Sequence, residues 1–379
     1  MTSELSSLCS YAKGKVSVDT LSKRNYVSTE NMMPNKGGIV DAGALPSAQY
    51  TQQYIKDDIL VSNIRPYFKK IWMADDDGGC SNDVLVFRAD RGCDSTFLYY
   101  ILANDAFFNY ASATSKGTKM PRGDKTAIMQ YKVPCFNYET QLRIGKLLRS
   151  IDDRIAVNKK INDNLQQQLF SLYENMATAS PCLKEYALSN LCDFQEGYVN
   201  PPQIHPEYFD GEVKWLRAVD INESFIIETS RTLTKAGFES AKKSALLFEP
   251  NTIAISKSGT IGRLGIIADY MCGNRAVINI APHDTNMLAF IYCFLKSKQR
   301  EFPDMAVGSV QKNLYVSLLE PLSVSIPDNE SLTAFNAVGA SILGMIHNNC
   351  VENTDLANLR DTILPKPMSG EIDVSSVLL

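Results

Sequence analysis

The sequence predicts a mixed α/β protein with two similar globular domains, each followed by a long heptad helix, the two helices pairing as an intramolecular coiled coil. Three observations carry this prediction. A heptad pattern runs uninterrupted through the middle of the chain, an ordered repeat returns about half a chain later, and short apolar strands recur in both copies.

The heptad pattern occupies QLRIGKLLRSIDDRIAVNKKINDNLQQQLFSLYENM, Gln141 to Met176. Read in sevens, Leu148, Ile151, Ile155, Leu165, Leu169, Leu172 and Met176 share one seam, and Asn158 and Asn162 fill its polar positions. No proline interrupts the run, and Gly145 is its one interior helix-weakening residue. At about 1.5 Å per residue, this is a helix of about 54 Å.

The repeat is read from matched fragments in order. LSSLCSYAKG (Leu5 to Gly14) returns as LSNLCDFQEG (Leu188 to Gly197), and DILVSNI (Asp58 to Ile64) as TIAISKS (Thr252 to Ser258). GCSNDVLVF (Gly79 to Phe87) matches MCGNRAVINI (Met271 to Ile280), and FLYYIL (Phe97 to Leu102) matches FIYCFL (Phe290 to Leu295). Val133-Pro134 matches Ile326-Pro327. Carried over by the same offset, the seam falls on Ile342, Met345, Asn349, Glu352, Leu356, Leu359 and Ile363, again with its polar residues in the middle. Two such seams in one chain bury each other most simply as a coiled coil, and buried asparagines fix register there. The competing reading packs each helix on its own domain only.

Within each copy, DDILVSN, NDVLVFR, NTIAIS and AVINIA read as short strands, while TFLYYILANDAFFNYA and MLAFIYCFLKSKQREF read as buried helices. The expected boundaries are 1–140 and 178–330 for the globular domains, 141–177 for the first helix, and 331–379 for the second helix and tail. ATASPC, with Pro181, marks the linker.

Composition narrows the chemistry. There is no G-x-x-x-x-G-K-[ST] loop for ATP and no Gly-rich strand-to-helix turn for a dinucleotide or adenosylmethionine, so no cofactor is expected. Asn200-Pro201-Pro202-Gln203 is superficially similar to the N-P-P-[YF] loop of amino-methyltransferases, but no apolar strand leads into it and no aromatic residue closes it. Three scattered histidines offer neither a triad nor a metal site, and nine cysteines without a C-x-x-C pair suit a reducing cytoplasm. The longest apolar run, LAFIYCFL, is too short to span a membrane, and MTSELSSLCSYAKGKV lacks the pattern of a signal peptide. The net charge of −4 and pI of about 5.6 argue mildly against nucleic-acid binding unless the cations cluster.

Such clusters occur in matched loops. Lys116, Lys119, Arg122 and Lys125 crowd KGTKMPRGDK, whose counterpart GSVQKNLY offers Gln311, Lys312 and Asn313. NIRPYFKK brings Arg65, Lys69 and Lys70 just past a strand, mirrored by Lys257 and Arg263 in KSGTIGRLG. Residues of these types contact phosphates and fork onto base edges. Any one loop alone reads equally well as solvated surface; duplication favours a shared use.

A resemblance sharpens this. Pro134, Glu139, Gln141, Ile144, Leu148, Ile151 and Asp152 match the helix-entry signature of the specificity subunits of type I restriction–modification systems. The second helix keeps Pro327 and Glu330 but lacks the glutamine. LRDTILPKPMSGEI (Leu359 to Ile372) is similar to that family's tail, and ISKSGTIGRLGII (Ile255 to Ile267) to its recognition strand and loop, which adds Ser258 and Thr260 to the candidate contacts. In the first copy Arg65 and Pro66 replace the Gly-Thr pair. The resemblance implies two target-recognition domains, antiparallel helices acting as a ruler between them, and a non-catalytic subunit. Its implied partners are double-stranded DNA, modification (methyltransferase) subunits and an ATP-dependent restriction subunit, with no membrane. The alternative is a coiled-coil scaffold that binds only protein.

Overall fold

A computed structural model describes residues 2–179, 184–309 and 311–363. The closing stretch beyond Ile363 and the linker proline Pro181 lie outside the described residues. The chain divides into two compact units, Met1–Arg154 with Leu356–Leu379, and Ile155–Asp355.

The first unit is built on an antiparallel sheet in the order Cys9–Tyr11, Val84–Ala89, Ile59–Ser62 and Ile71–Met73. Strict alternation sorts its side chains. Ile59, Val61, Leu85 and Phe87 face a core that contains Phe97, Phe107 and Phe108, whereas Leu60, Val84 and Val86 face a second core with Val27, Tyr54 and Cys80. The first core is covered by helices, and the second includes residues of another sheet, Lys15–Ser17, Tyr50–Tyr54, Gly78–Cys80 and Tyr26–Val27. Each fully buried phenylalanine contributes about 1.5–3 kcal/mol.

The second unit repeats the plan. Its main sheet runs Cys192–Glu196, Val277–Pro282, Ile253–Ser256 and Leu264–Ile267, extended at the edge by Phe225–Ile226. Ile253, Ile255, Ile278 and Ile280 face the helical core, while Ala254 and Val277 face the other side. In both units a two-stranded ribbon ties the start of the domain to the approach of its long helix: Thr2–Glu4 with Lys132–Pro134, and Lys184–Ala187 with Ser323–Ile326. The duplication read from fragments is therefore a duplication of topology.

One expected helix divides. TFLYYILANDAFFNYA forms two helices, Ser95–Ala103 and Asp105–Ala113, because Asn104 is extended and its side chain accepts from Ala106 N at 2.8 Å. The second copy divides too, Leu288–Lys298 being followed by the short helix Phe302–Met305.

The long helices span Tyr138–Ala179 and Asn329–Ile363. Each follows its proline and is capped by a side chain, with Asn137 accepting from Thr140 N and Asp328 accepting from Ser331 N, both at 2.8 Å. Gly145 and Gly339 occupy equivalent positions, and each permits a close approach to its own domain. A Cβ on Gly145 would lie 2.8 Å from Asp94 Oδ1, and one on Gly339 would lie 2.6 Å from Ala289 Cβ.

The helices pair antiparallel within one chain. In the first unit, Arg360 Nη1 donates to Asp152 Oδ1 at 2.7 Å, and Tyr100 donates to the other oxygen at 2.6 Å. Burial, with Asp152 beside it, pushes the Tyr100 phenol far above its ordinary range, so it stays a donor. Ile363 packs against the same core as Leu148. In the second unit, Asn158 donates to Glu352 and Asn353, and Asn349 donates to Asn162 at 2.8 Å. Leu169 and Tyr173 join Phe335, Ile342, Leu343 and Ile346 in one apolar cluster.

The seam is corrected at three positions. Met345 and Leu359 are each 48% exposed and Leu172 is 41% exposed, so none is a seam residue. Ile346, Arg360 and Tyr173, one residue further along, turn inward instead. Leu148, Ile151 and Leu169 are buried as expected, as is Ile342, while Ile155, Leu165, Leu356 and Ile363 are half-buried. The reason is helical phase. For Met345 and Leu359, transferring the spacing of one helix onto the other presumes the same order of three- and four-residue steps, and the second helix takes them in the opposite order; for Leu172, the first helix itself takes a step of four from Leu169 to Tyr173.

Candidate nucleic-acid interface

Each domain brings its two candidate loops together by backbone hydrogen bonds at the same point of the fold. In the first domain, Gly123 N donates to Asn63 O at 3.1 Å and Arg65 N donates to Pro121 O at 2.8 Å. In the second, Leu314 N donates to Lys257 O at 2.9 Å. The loop after the helices is closed by one residue pair in each copy, Lys116 with Arg122 and Val307 with Asn313. A glycine with left-handed backbone follows the first member of each pair, Gly117 at φ 97° and Gly308 at φ 140°. Arg122 and Asn313 thus hold one position of a shared frame.

The strand-end loops share a frame too. Ser62 and Ser256 end equivalent strands, and each hydroxyl donates into its own loop, Ser62 to Ile64 O at 3.0 Å and Ser256 to Thr260 O at 2.5 Å. Ser256 also accepts from Arg263 N at 2.8 Å. The sequence reading passed over these serines, although their recurrence in ILVS and IAIS was the available signal. Arg65 takes the left-handed conformation, φ 50°, that Gly259 takes in the second copy at φ 76°. A residue with a Cβ pays about 1–2 kcal/mol for that backbone. The Arg-Pro departure therefore keeps the backbone turn and adds a guanidinium, whose Nε is buried with no acceptor among the described residues.

The candidate cations fall into two groups. Lys69 and Lys36 both grip Asp105, at 2.7 and 3.0 Å, and Lys70 donates to Thr29 O at 2.6 Å. Burial works to raise the Asp105 pKa, but the hydrogen bonds from Lys69 and Lys36 outweigh it and leave the group below its usual 3.8. Lys257 is held by Glu196 at 2.8 Å and lies 4.8 Å from the centre of the Tyr315 ring. These three lysines brace the domains rather than standing free, because their partners, Asp105, the Thr29 carbonyl and Glu196, come from distant parts of the chain. Lys116 pairs with Asp124 at 2.5 Å and Arg122 with Asp83 at 2.9 Å, both at the surface. The hydrogen bond from Lys116, with two backbone N–H groups, holds the Asp124 carboxyl below its usual range. Lys119, Lys125, Arg263 and Lys312 have no ion pair among the described residues. Thr260 and Gln311 are exposed, Ser258 is half-buried, and Asn313 donates to Gln311 O at 3.1 Å.

Burial pushes the thiols of Cys80, Cys192, Cys272 and Cys293 up to about 12, which keeps them protonated. Among the described residues, no three His, Cys, Asp or Glu side chains converge to hold a metal, and no helix is long and apolar enough to cross a membrane.

A family model described as a type I restriction modification DNA specificity domain matches residues 1–167 and again 183–354. The chain is 26% identical to the HindI specificity subunit of Haemophilus influenzae, over 92% of this chain and 94% of that one. It is 23% identical to the MjaIX specificity subunit of Methanocaldococcus jannaschii, over 76% of this chain and 71% of that one. A crystal structure of the S subunit of a type I restriction-modification system from M. genitalium has the same fold, with TM-score 0.57, 18% identity, and 97% and 96% of the two chains covered.

Proposed function

Since this chain belongs to the type I restriction–modification DNA specificity family, we propose that it reads a bipartite duplex target, one half-site through each globular domain. In doing so it positions modification (methyltransferase) and restriction subunits on that DNA. The recognition domains are residues 1–140 and 178–330, with a spacer helix at 141–177 and a second spacer helix with its tail at 331–379.

The observation that carries this reading is the paired-loop surface built once per domain. One frame is kept in both copies while its side chains differ, Arg122 standing where Asn313 stands. A constant frame with variable tips is what two readers of different half-sites require. Phosphates are met by Lys116, Lys119, Arg122 and Lys125, with Arg65 beside them, and base edges in the second half-site by Gln311 and Asn313, flanked by Ser258, Thr260, Arg263 and Lys312. Lys69, Lys70 and Lys257 support these loops from within. Catalysis belongs to the partner subunits, in keeping with a sequence that has neither a phosphate loop nor a Gly-rich adenosylmethionine turn.

Filter binding of duplex DNA at a series of salt concentrations tests the reading. Salt-sensitive binding that saturates on duplex is the expected result. A chain that assembles with partner subunits yet binds no duplex, alone or with them, is a protein scaffold, and the reading is then wrong.

A further inference from the structure

The cations singled out in the loops are not the whole of the first domain's positive surface. A cleft of about 360 Å³ lies beside them, between the segment Tyr11–Lys15 and the start of the helix Lys125–Met129. Three lysines line it, Lys13, Lys15 and Lys125, together with Tyr50, Gln52 and Asn82. None of its lining residues is acidic. All three lysines are exposed, and none has an ion pair among the described residues. The cleft adjoins the candidate interface, because Asn82 precedes the Asp83 that holds Arg122, and Lys125 follows the Asp124 that holds Lys116. Tyr11 fixes the two walls together by donating to Lys125 O at 3.0 Å.

The second domain shows what this position looks like when it is not basic. The strand beginning at Cys9 corresponds to that beginning at Cys192, so Glu196 stands for Lys13 and Tyr198 for Lys15. The helix Lys125–Met129 corresponds to Val316–Leu319, so Val316 stands for Lys125. All three cations are missing there. Glu196 is occupied instead, by Lys257 at 2.8 Å and by the Tyr198 hydroxyl at 3.0 Å, and that hydrogen bond raises the tyrosine's pKa. The frame therefore does not demand lysines. Three ammonium groups gathered round one acid-free cleft repel one another, and an anion among them relieves that repulsion.

We propose that the cleft of Lys13, Lys15 and Lys125 binds a backbone phosphodiester of the duplex, a contact made by the first domain alone. The proposal rests on the DNA-reading function above. It makes the first domain the electrostatic anchor and leaves the second to bind with fewer released counterions.

The test uses the full chain and a duplex of random sequence, since a phosphate contact carries no sequence preference. Wild type is compared with the K13Q/K15Q/K125Q variant and with K146Q/K159Q/K160Q, which removes equal charge from the long helix. The log–log salt slope of the first variant is expected to shrink by about one unit, for the one phosphate no longer neutralised, while the helix variant keeps the wild-type slope. Single Lys13→Gln and Lys15→Gln changes, each expected to weaken binding to the random duplex and to lose part of that unit, replace the triple variant if it does not fold. A slope unchanged in the cleft variants, with wild type binding duplex normally, overturns the cleft and leaves the DNA-reading function standing. Wild type that binds no duplex overturns both. Inorganic pyrophosphate separates the remaining source: if it raises the wild-type melting temperature and not that of the cleft variant, with no change of slope, the cleft takes a free phosphorylated ligand and the duplex contact is wrong.

Discussion

Arg65 and Gly259 share one backbone conformation, so a single substitution separates the stability of the turn from its chemistry. Arg65→Gly relieves about 1–2 kcal/mol of backbone strain and forfeits about 0.4–1 kcal/mol through a looser unfolded chain. Thermal unfolding is expected to show equal or slightly higher stability, while duplex affinity falls at every sequence alike. A joint loss of stability and affinity would show that the side chain holds the loop together. The neighbouring lysines are predicted to divide. Lys119→Ala should reduce the salt slope by about one unit, whereas Lys69→Ala should act through the fold by leaving Asp105 to Lys36 alone. Asp105 also gives a pH dependence. Its folded pKa is lowered, so the stabilisation it supplies is complete above the ordinary carboxylate value of 3.8 and is lost as pH falls through the lowered folded value. Asp105→Asn is expected to flatten that acid limb in a melting-temperature profile, and an unchanged limb would assign it to other carboxylates. Asn313→Ala is expected to cost about 1–3 kcal/mol on a cognate site and relax one base position in the second half-site. Sequence made these loops visible by duplication and charge. It could not distinguish Lys119 from Lys69, because Asp105 lies 36 residues away and reaches Lys69 only through folding.

At the scale of elements, the long helices offer an internal comparison. Gly339 has Ala289 Cβ 2.6 Å from where its own Cβ would stand, whereas Gly344 in the same helix faces open space. Gly344→Ala is expected to stabilise by about 0.5–1 kcal/mol through helix propensity. Gly339→Ala is expected to destabilise by about 1–3 kcal/mol through overpacking, despite the same propensity gain. Equal shifts in denaturant midpoint for the two would show that the helix does not bear on its domain at that point. Strands and helices were legible because alternation and heptads are local and strongly patterned; Ile253, Ala254 and Ile255 sort to opposite cores as their order requires. Phase was less legible. Met345 and Leu359 are apolar and correctly spaced for a copied register, yet Ile346 and Arg360 face the partner, and only the antiparallel pairing decides between them. Asn104, which breaks one helix into two, was hidden inside an apolar run whose flanks both favour helix.

For the whole molecule, exchanging residues 178–330 for those of another family member is expected to change one half of the DNA target and spare the other. Methylation profiling of a host carrying the hybrid reads the outcome, and a change in both halves would place the readers elsewhere. The antiparallel pairing has a further consequence, in time. Asn158 meets Glu352 across 194 residues of chain, and Asp152 meets Arg360 across 208. At about 5–20 residues per second of synthesis, the first long helix spends roughly 10–40 s outside the ribosome before its partner exists. Throughout that interval Ile144 and Leu148 already pack on the first domain, but Leu165 and Leu169 lack the second-unit residues that cover them and can meet only neighbouring nascent chains on the same message. Asn158 and Asn162 sit in the middle of the uncovered stripe, where a second copy of the stripe would have to desolvate their amides without Glu352 to accept from the one and Asn349 to donate to the other. The same polar layer that fixes the finished register therefore also discourages premature partners while the protein is still being made.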